Sequence, residues 1–348
     1  MKFPSFFFFL FFFVSLLLLK SRSFRTFSIL FVWFIIIIIK GFTDRIVMIS
    51  AKGHVVFFDW TPESSSTAPF ALQPDTSRRS LLQFPSWAQS GLSHRCACVD
   101  SACEFVYCGG WWDGAVRVVA LSEVGRVVAV GYAHRTMATA VGADATDTIL
   151  ASGDALGNCV LWHIGRNLAG VPALTAPTTL YPKHGARVMS VVANSELAIV
   201  ASGAADGMCH VYSVRSRTLM TRLVPLFDPT WGVPSCGSRE GRDGTDEKGD
   251  HTGGGECEVV HRSSSGSSIE TLSVSPMGIV AVHCTWAVTG RSTSNARKRI
   301  STVHVYSING RLQGATRTPS IAALRVSQCN EYLVTVGNKN VVMYRLAK

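Results

Sequence analysis

From residue 41 to the C-terminus, apolar and polar positions alternate on a short period. Runs of four to eight residues rich in Val, Ile and Tyr are separated by clusters of Gly, Asn, Asp and Ser. Such runs predict β-strands joined by tight turns. No stretch holds an apolar helical period over three turns, so no long amphipathic helix is expected. Before residue 41 the pattern changes. Phe3–Leu19 and Phe27–Ile39 are predominantly apolar runs of 17 and 13 residues, split by Lys20, Arg22 and Arg25.

The strand pattern repeats. His134 is followed 18 residues later by Ser152-Gly and 28 residues later by Trp162; His184 is followed at the same distances by Ser202-Gly and Tyr212. Weaker copies run from His94 to Leu121, Ser268 to Ile308 and Pro319 to Leu346. Asp44 to Trp60 holds only the last two strands of a copy. Six units result. One small antiparallel sheet cannot bury both faces alone, whereas stacking such sheets around an axis does so. The expected fold is all-β, a WD-repeat β-propeller of six visible units, with seven blades or an incomplete ring both open.

The repeat spacing gives the recurring polar residues a place. His184, Ser202, Asp206 and Tyr212 sit where WD repeats carry a His, a Ser, an Asp and an aromatic residue that tie strands and turns together. In the preceding unit His134, Ser152 and Trp162 match, but Leu156 stands at the acid position, so that set is expected to be incomplete. Asp113 and Asn338 occupy the same turn position in their units. The same residue types could compose a Ser-His-Asp triad. Their recurrence at repeat spacing and the lack of a nucleophile elbow favour the structural role.

Segments between the units are expected to be loops: Thr61–Ser93, Gly165–Lys183 with three prolines, Pro225–Ser267 with an acidic bias, and Ala287–Ile300 ending in a basic stretch. Both charged stretches are read as solvated surface. The division is therefore an apolar segment at 1–43 and a propeller at 44–346 with inserts near 61–93, 225–267 and 287–300.

Composition adjusts this picture at two points. Half of the net charge of +10 lies in residues 1–40, as Lys2, Lys20, Arg22, Arg25 and Lys40 without an acid. The remainder has an ordinary balance, which argues against a nucleic-acid partner. Ten cysteines are scattered through apolar runs of a long chain and read as reduced, packed thiols rather than a disulfide framework. Cys96, Cys98, Cys103 and Cys108 lack the paired knuckles of a zinc site. No metal, cofactor, small-molecule substrate or catalytic set is expected.

The first forty residues have two readings. Their length and basic flank allow a membrane anchor, one transmembrane helix with cytoplasmic orientation. Their homopolymer runs of Phe, Leu and Ile also fit a mis-set start outside the functional protein; Lys-Ser-Arg-Ser-Phe-Arg is a poor signal-peptide cleavage site.

A narrower resemblance rests on four strings. Phe105–Val118, with Cys-Gly-Gly-Trp-Trp-Asp-Gly-Ala-Val-Arg-Val, resembles a signature of the C-terminal propeller of BEACH-domain proteins, the neurobeachin and beige/Chédiak–Higashi family. Ser190–Leu223 resembles that family's run ending in Ser-Gly-Ser-x-Asp-Gly-Thr-Cys. Thr302–Leu312, with Val-His-Val-Tyr-Ser-Ile-Asn-Gly-Arg-Leu, resembles a strand of that propeller ending in Asn-Gly-Lys-Leu, and Ile321–Gly337 resembles its last blade. The similarity spans about residues 44–346, while the PH-like and BEACH domains that precede the propeller in the family are absent from this chain. It implies a non-enzymatic scaffold in vesicle traffic and membrane dynamics, cytoplasmic and peripheral to or anchored in membranes, binding other proteins through its propeller faces. A generic WD adaptor, such as a ubiquitin-ligase substrate receptor, and a membrane-tethered propeller are the alternatives. Trp111 and Trp112 are candidate protein contacts, because exposed Trp is enriched at binding hot spots. The expectation is that Trp112 belongs to blade core and Trp111 is the contact.

Overall fold

The computed structural model describes residues 34–39, 45–50, 53–61, 71–82, 93, 95–121, 125–227, 267–288, 298–327, 329–337 and 341–346. Among them the protein is all-β, with no helix. Its strands form six antiparallel sheets, each built from strands consecutive in the chain. The first holds β1 (Phe34–Ile39), β2 (Arg45–Ser50), β3 (His54–Thr61) and β4 (Ala71–Leu81). The second holds β5 (Ala97–Val99), β6 (Phe105–Cys108), β7 (Ala115–Ala120) and β8 (Val127–Tyr132). The third holds β9 (Ala138–Ala143), β10 (Ile149–Asp154), β11 (Cys159–Arg166) and β12 (Pro172–Leu180). The fourth holds β13 (Val188–Asn194), β14 (Ile199–Ala204), β15 (Cys209–Ser213) and β16 (Leu219–Leu223). The fifth holds β17 (Ser267–Val274), β18 (Ile279–Val288), β19 (Lys298–Ser307) and β20 (Leu312–Thr318). The sixth has three strands, β21 (Ile321–Val326), β22 (Tyr332–Gly337) and β23 (Val341–Arg345).

The core lies between sheets rather than within one. Leu150 and Trp162, cross-strand partners, pack with Tyr107 and Val118 of the second sheet. Their neighbours Ala151 and Leu161 point the other way and join Val188, Val200 and Tyr212 of the fourth. Ala201 and Val211 in turn meet Ile269, Val280 and Val282 of the fifth. Ala281, Val303 and Val305 then meet Ile321, Leu324 and Leu333 of the sixth. Successive side chains on a strand face opposite sides, so a central strand held between two neighbouring sheets is buried on both faces. β7, β10 and β14 are accordingly buried along their whole length. The first strands of successive sheets touch one another, β5 with β9, β9 with β13, β13 with β17 and β17 with β21. Stacked four-stranded sheets with their first strands gathered together are compatible with a β-propeller.

Four of the sheets also carry a polar clamp at the turn between their first and second strands. Asp144 Oδ1 accepts the N–H groups of Thr148 and Ile149 at 2.8 and 3.0 Å. Asp100 does the same for Glu104 and Phe105. Ser275 serves Ile279, and Ser327 serves Tyr332. Asp144 Oδ2 also accepts the hydroxyl of Ser195 from the fourth sheet at 2.5 Å, joining two neighbours.

Four expectations need correction. The second apolar run is not a helix in its last part, because Phe34–Ile39 is strand β1, paired with β2 from Ile39↔Ile46 to Phe34↔Ser50. No helix of the described residues is long and apolar enough to cross a membrane, so a transmembrane helix is unsupported there; Phe3–Leu19 lies outside the described residues. The first unit therefore has four strands, not two. Two expected loops supply fourth strands: Ala71–Leu81 within Thr61–Ser93, and Pro172–Leu180 within Gly165–Lys183. The insert placed at 287–300 is shorter, since β18 reaches Val288 and β19 begins at Lys298. Edge strands pair on one side only and tolerate proline, so Pro172 and Pro177 hide β12 from a pattern reading without breaking it. Most of Pro225–Ser267 lies outside the described residues.

Candidate functional site

The third sheet assembles a buried polar set where its first strand begins. His134 stands in the loop before β9, Ser152 on β10 and Trp162 on β11. His134 Nε2 lies 2.7 Å from Ser152 Oγ, and Trp162 Nε1 donates to the same oxygen at 2.8 Å. The acid is Asp154, the last residue of β10, whose Oδ2 lies 3.3 Å from His134 Nδ1. Its Oδ1 accepts the N–H groups of Leu156 and Asn158, both at 2.9 Å, and its Oδ2 accepts Asn158 Nδ2. The set expected to be incomplete is thus complete. The acid enters from the strand end, two residues before the turn position. Leu156 itself is 54% exposed.

The fourth sheet solves the same problem from the turn. His184 Nε2 lies 2.7 Å from Ser202 Oγ, and His184 Nδ1 lies 3.4 Å from Asp206 Oδ2. Asp206 also accepts the N–H groups of Gly185 and Met208, each at 2.9 Å. Tyr212 takes the aromatic place but donates its hydroxyl to the Pro182 carbonyl at 2.8 Å. His210 stacks on His184 with ring centroids 4.0 Å apart. Burial, followed by the His184 and Arg222 charges, pushes the His210 imidazole down to about 4. Burial alone would raise the carboxyls of Asp154 and Asp206. Their hydrogen bonds from His134 and Asn158, and from His184 and Met208, outweigh it and hold both below the usual range.

Ser152 and Ser202 are fully buried. A nucleophile needs a reacting carbon beside it, and these hydroxyls are packed among strands instead. What the arrangement does chemically is lock a loop, a strand and a turn into one register.

The second sheet departs from both. Asp113 accepts both guanidinium ends of Arg117, at 3.2 and 2.6 Å, and the N–H of Ala115 at 3.0 Å. The Arg117 guanidinium lies over the Trp111 ring, 4.5 Å from its centroid. Trp111 is 2% exposed and packs with Val99, Val106 and Val119, whereas Trp112 is 68% exposed. This reverses the expectation for the two tryptophans. Between Cys108 and the turn glycine this sheet has one residue more than the third, and the added length folds Trp111 inward and presents Trp112. Asn338 lies outside the described residues.

Trp112 is in the turn between the second and third strands of its sheet. In an antiparallel meander that turn shares an end with the connection to the next sheet. Tyr132 and Tyr181, both about two-thirds exposed, stand on such connections, and exposed Leu156 is in the equivalent turn of the third sheet. Periodicity could not single out the tyrosines, because each looks like one more strand residue. Among the described residues no group of three His, Cys, Asp or Glu is placed to hold a metal ion.

No family model matches the sequence. Over 256 residues the chain is 22% identical to the BEACH domain-containing protein B of Arabidopsis thaliana. That similarity takes in 69% of this chain and 8% of that much longer protein. The all-β chain is thus similar to a small part of a BEACH domain-containing protein.

Proposed function

We propose that this chain is a non-enzymatic interaction scaffold, a WD-type propeller that is the C-terminal part of a BEACH-type protein and acts in vesicle traffic and membrane dynamics. The observation that carries the reading is the similarity to a BEACH domain-containing protein over most of the chain. The recurrent His–Ser–acid sets support it, because they spend polar residues on rigidity and leave exposed aromatics on one end as the chemistry offered to partners. The chain works in the cytoplasm, on the surface of membranes, through proteins bound at that end.

Two measurements test this. A tagged full chain should co-sediment with vesicles from cells, and Trp112→Ala should release it while leaving its unfolding midpoint unchanged. A chain that stays diffuse, or a variant that behaves like the wild type, counts against the scaffold. Mapping the 5′ end of the message tests the family assignment: an upstream frame encoding a BEACH domain is expected, and a message beginning just before Met1 argues for a separate adaptor.

A further inference from the structure

Three seams between sheets close on a glycine. Gly109, Gly153 and Gly203 each lie against the first strand of the next sheet. A Cβ built on Gly153 would stand 2.3 Å from Val188 Cγ1, one on Gly203 2.3 Å from Ile269 Cγ2, and one on Gly109 2.9 Å from Ala138 Cβ. The missing side chain lets neighbouring sheets approach. In the fifth sheet that position changes. β14 runs Ile199-Val-Ala-Ser-Gly203, with Ile199 paired to Ser213 and Gly203 to Cys209. β18 runs Ile279-Val-Ala-Val-His283, with Ile279 paired to Ser307 and His283 to Val303. An imidazole replaces the glycine's hydrogen, and the seam toward the sixth sheet stays open at that end.

The opening is a cavity of about 610 Å³, bounded by His283 and by Ile321, the first residue of β21. Its floor is polar. Both ring nitrogens of His283, Oγ1 of Thr271 opposite it in register, and Oγ1 of Thr318 are buried and lack a hydrogen-bond partner. A bulge at Glu270 gives Thr271 this register. Each unpaired buried group costs about 1–3 kcal/mol. Folding alone gives no return for that cost, because the rest of the seam is filled by Val303, Val305, Leu324 and Leu333. Three arginines and one acid line the cavity, Arg95, Arg299, Arg317 and Glu270, and Arg95 pairs with Glu270. The lining carries an excess of two positive charges.

We propose that this cavity binds a dianionic phosphate monoester, presented by a phosphorylated serine or threonine of a partner protein. Two positive charges match a dianion, whereas a carboxylate would use one. The threonine hydroxyls supply donors. Burial pushes the His283 imidazole down to about 4, so near neutral pH it is uncharged and offers one N–H. Arg299 and Arg317, both exposed, provide charge-assisted bonds at the rim. The protein source of the phosphate rests on the scaffold reading above. A lipid headgroup fits less well, because the exposed rim residues Pro319 and Ser320 offer no large apolar side chain to a bilayer.

The test titrates the full chain calorimetrically with inorganic phosphate, then with N-acetyl-phosphoserine amide and its serine and aspartate counterparts, and finally with phosphatidylcholine vesicles containing a phosphoinositide. Saturable binding of phosphate and of the phosphoserine amide is expected, with the aspartate form at least about tenfold weaker. Arg299→Gln and Arg317→Gln should each weaken binding about tenfold at an unchanged unfolding midpoint. His283→Gly, which restores the glycine of the other seams, should abolish binding while keeping the fold. The proposal is overturned if millimolar phosphate does not bind, if none of the three substitutions matters, or if vesicles bind and the phosphoserine amide does not. Loss of phosphate binding while Trp112→Ala still releases the chain from vesicles removes this site and leaves the scaffold standing.

Discussion

Asp154 and Leu156 show how a role can move along the chain while its chemistry stays. In the fourth sheet the acid for the loop histidine comes from the turn, as Asp206; in the third it comes from the end of the strand, as Asp154. Removing Asp154 leaves His134, Leu156 N–H and Asn158 short of an acceptor in a buried place. Asp154→Ala should therefore cost about 2–4 kcal/mol in urea unfolding. Leu156→Asp, which fills the vacant turn position, should change stability by no more than about 0.5 kcal/mol, because the set is already satisfied and the residue is exposed. A large gain from Leu156→Asp would show that Asp154 does not serve His134. The tryptophans divide in the same way. Trp111→Ala should cost about 3–5 kcal/mol, and Trp112→Ala no more than about 0.5 kcal/mol. The sequence pointed to this turn but not to which indole faces out, because the repeat fixes a spacing and the second sheet has one residue more than the spacing allows.

At the scale of elements, central strands were legible and edge strands were not. β10, β14 and β18 bury both faces, so their apolar runs stand out, and the matched His-to-Ser spacing places the first two with their loops. β12 is half-exposed, holds two prolines and pairs only with β11, so nothing in its pattern separates it from a loop. β1 looks membrane-seeking for the opposite reason, since Phe-Ile-Ile-Ile-Ile-Ile satisfies a bilayer and a sheet equally. Gly203 was legible only as part of a Ser-Gly motif; its use in the seam needs the neighbouring sheet. These differences set the response to substitution. Gly203→Ala pushes a methyl group into Ile269 on the adjacent strand and should cost at least about 1–3 kcal/mol. Pro177→Thr, on an edge where no ladder bond is lost, should change stability by about 0.5 kcal/mol or less. Both are read from urea midpoints at constant m-value, and equal effects at the two sites would contradict the assignment of seam and edge.

For the whole molecule, the seams make stability depend on pH through histidines kept neutral. Burial pushes His210, His283 and His304 down to about 4, against 6.5 in an exposed chain. Glu270 opposes the shift at His283, and Arg95 reinforces it. Between those two pH values the unfolded chain binds protons that the folded chain refuses. The stability contributed by the three neutral imidazoles is therefore fully present above about pH 6.5 and drains away as pH falls toward 4. Each contributes on the order of 1–3 kcal/mol. The depressed carboxyls of Asp154, Asp206 and Glu270 act with the same sign at lower pH, because protonating them removes their bonds. The urea midpoint should fall steadily from pH 7 to pH 4.5, before most carboxylates titrate. His210→Val, which copies Val160 of the third sheet, should flatten part of that slope while the remainder persists. A midpoint constant over this range would mean that the imidazoles are solvated, and with them the seams on which the stacking of the sheets depends.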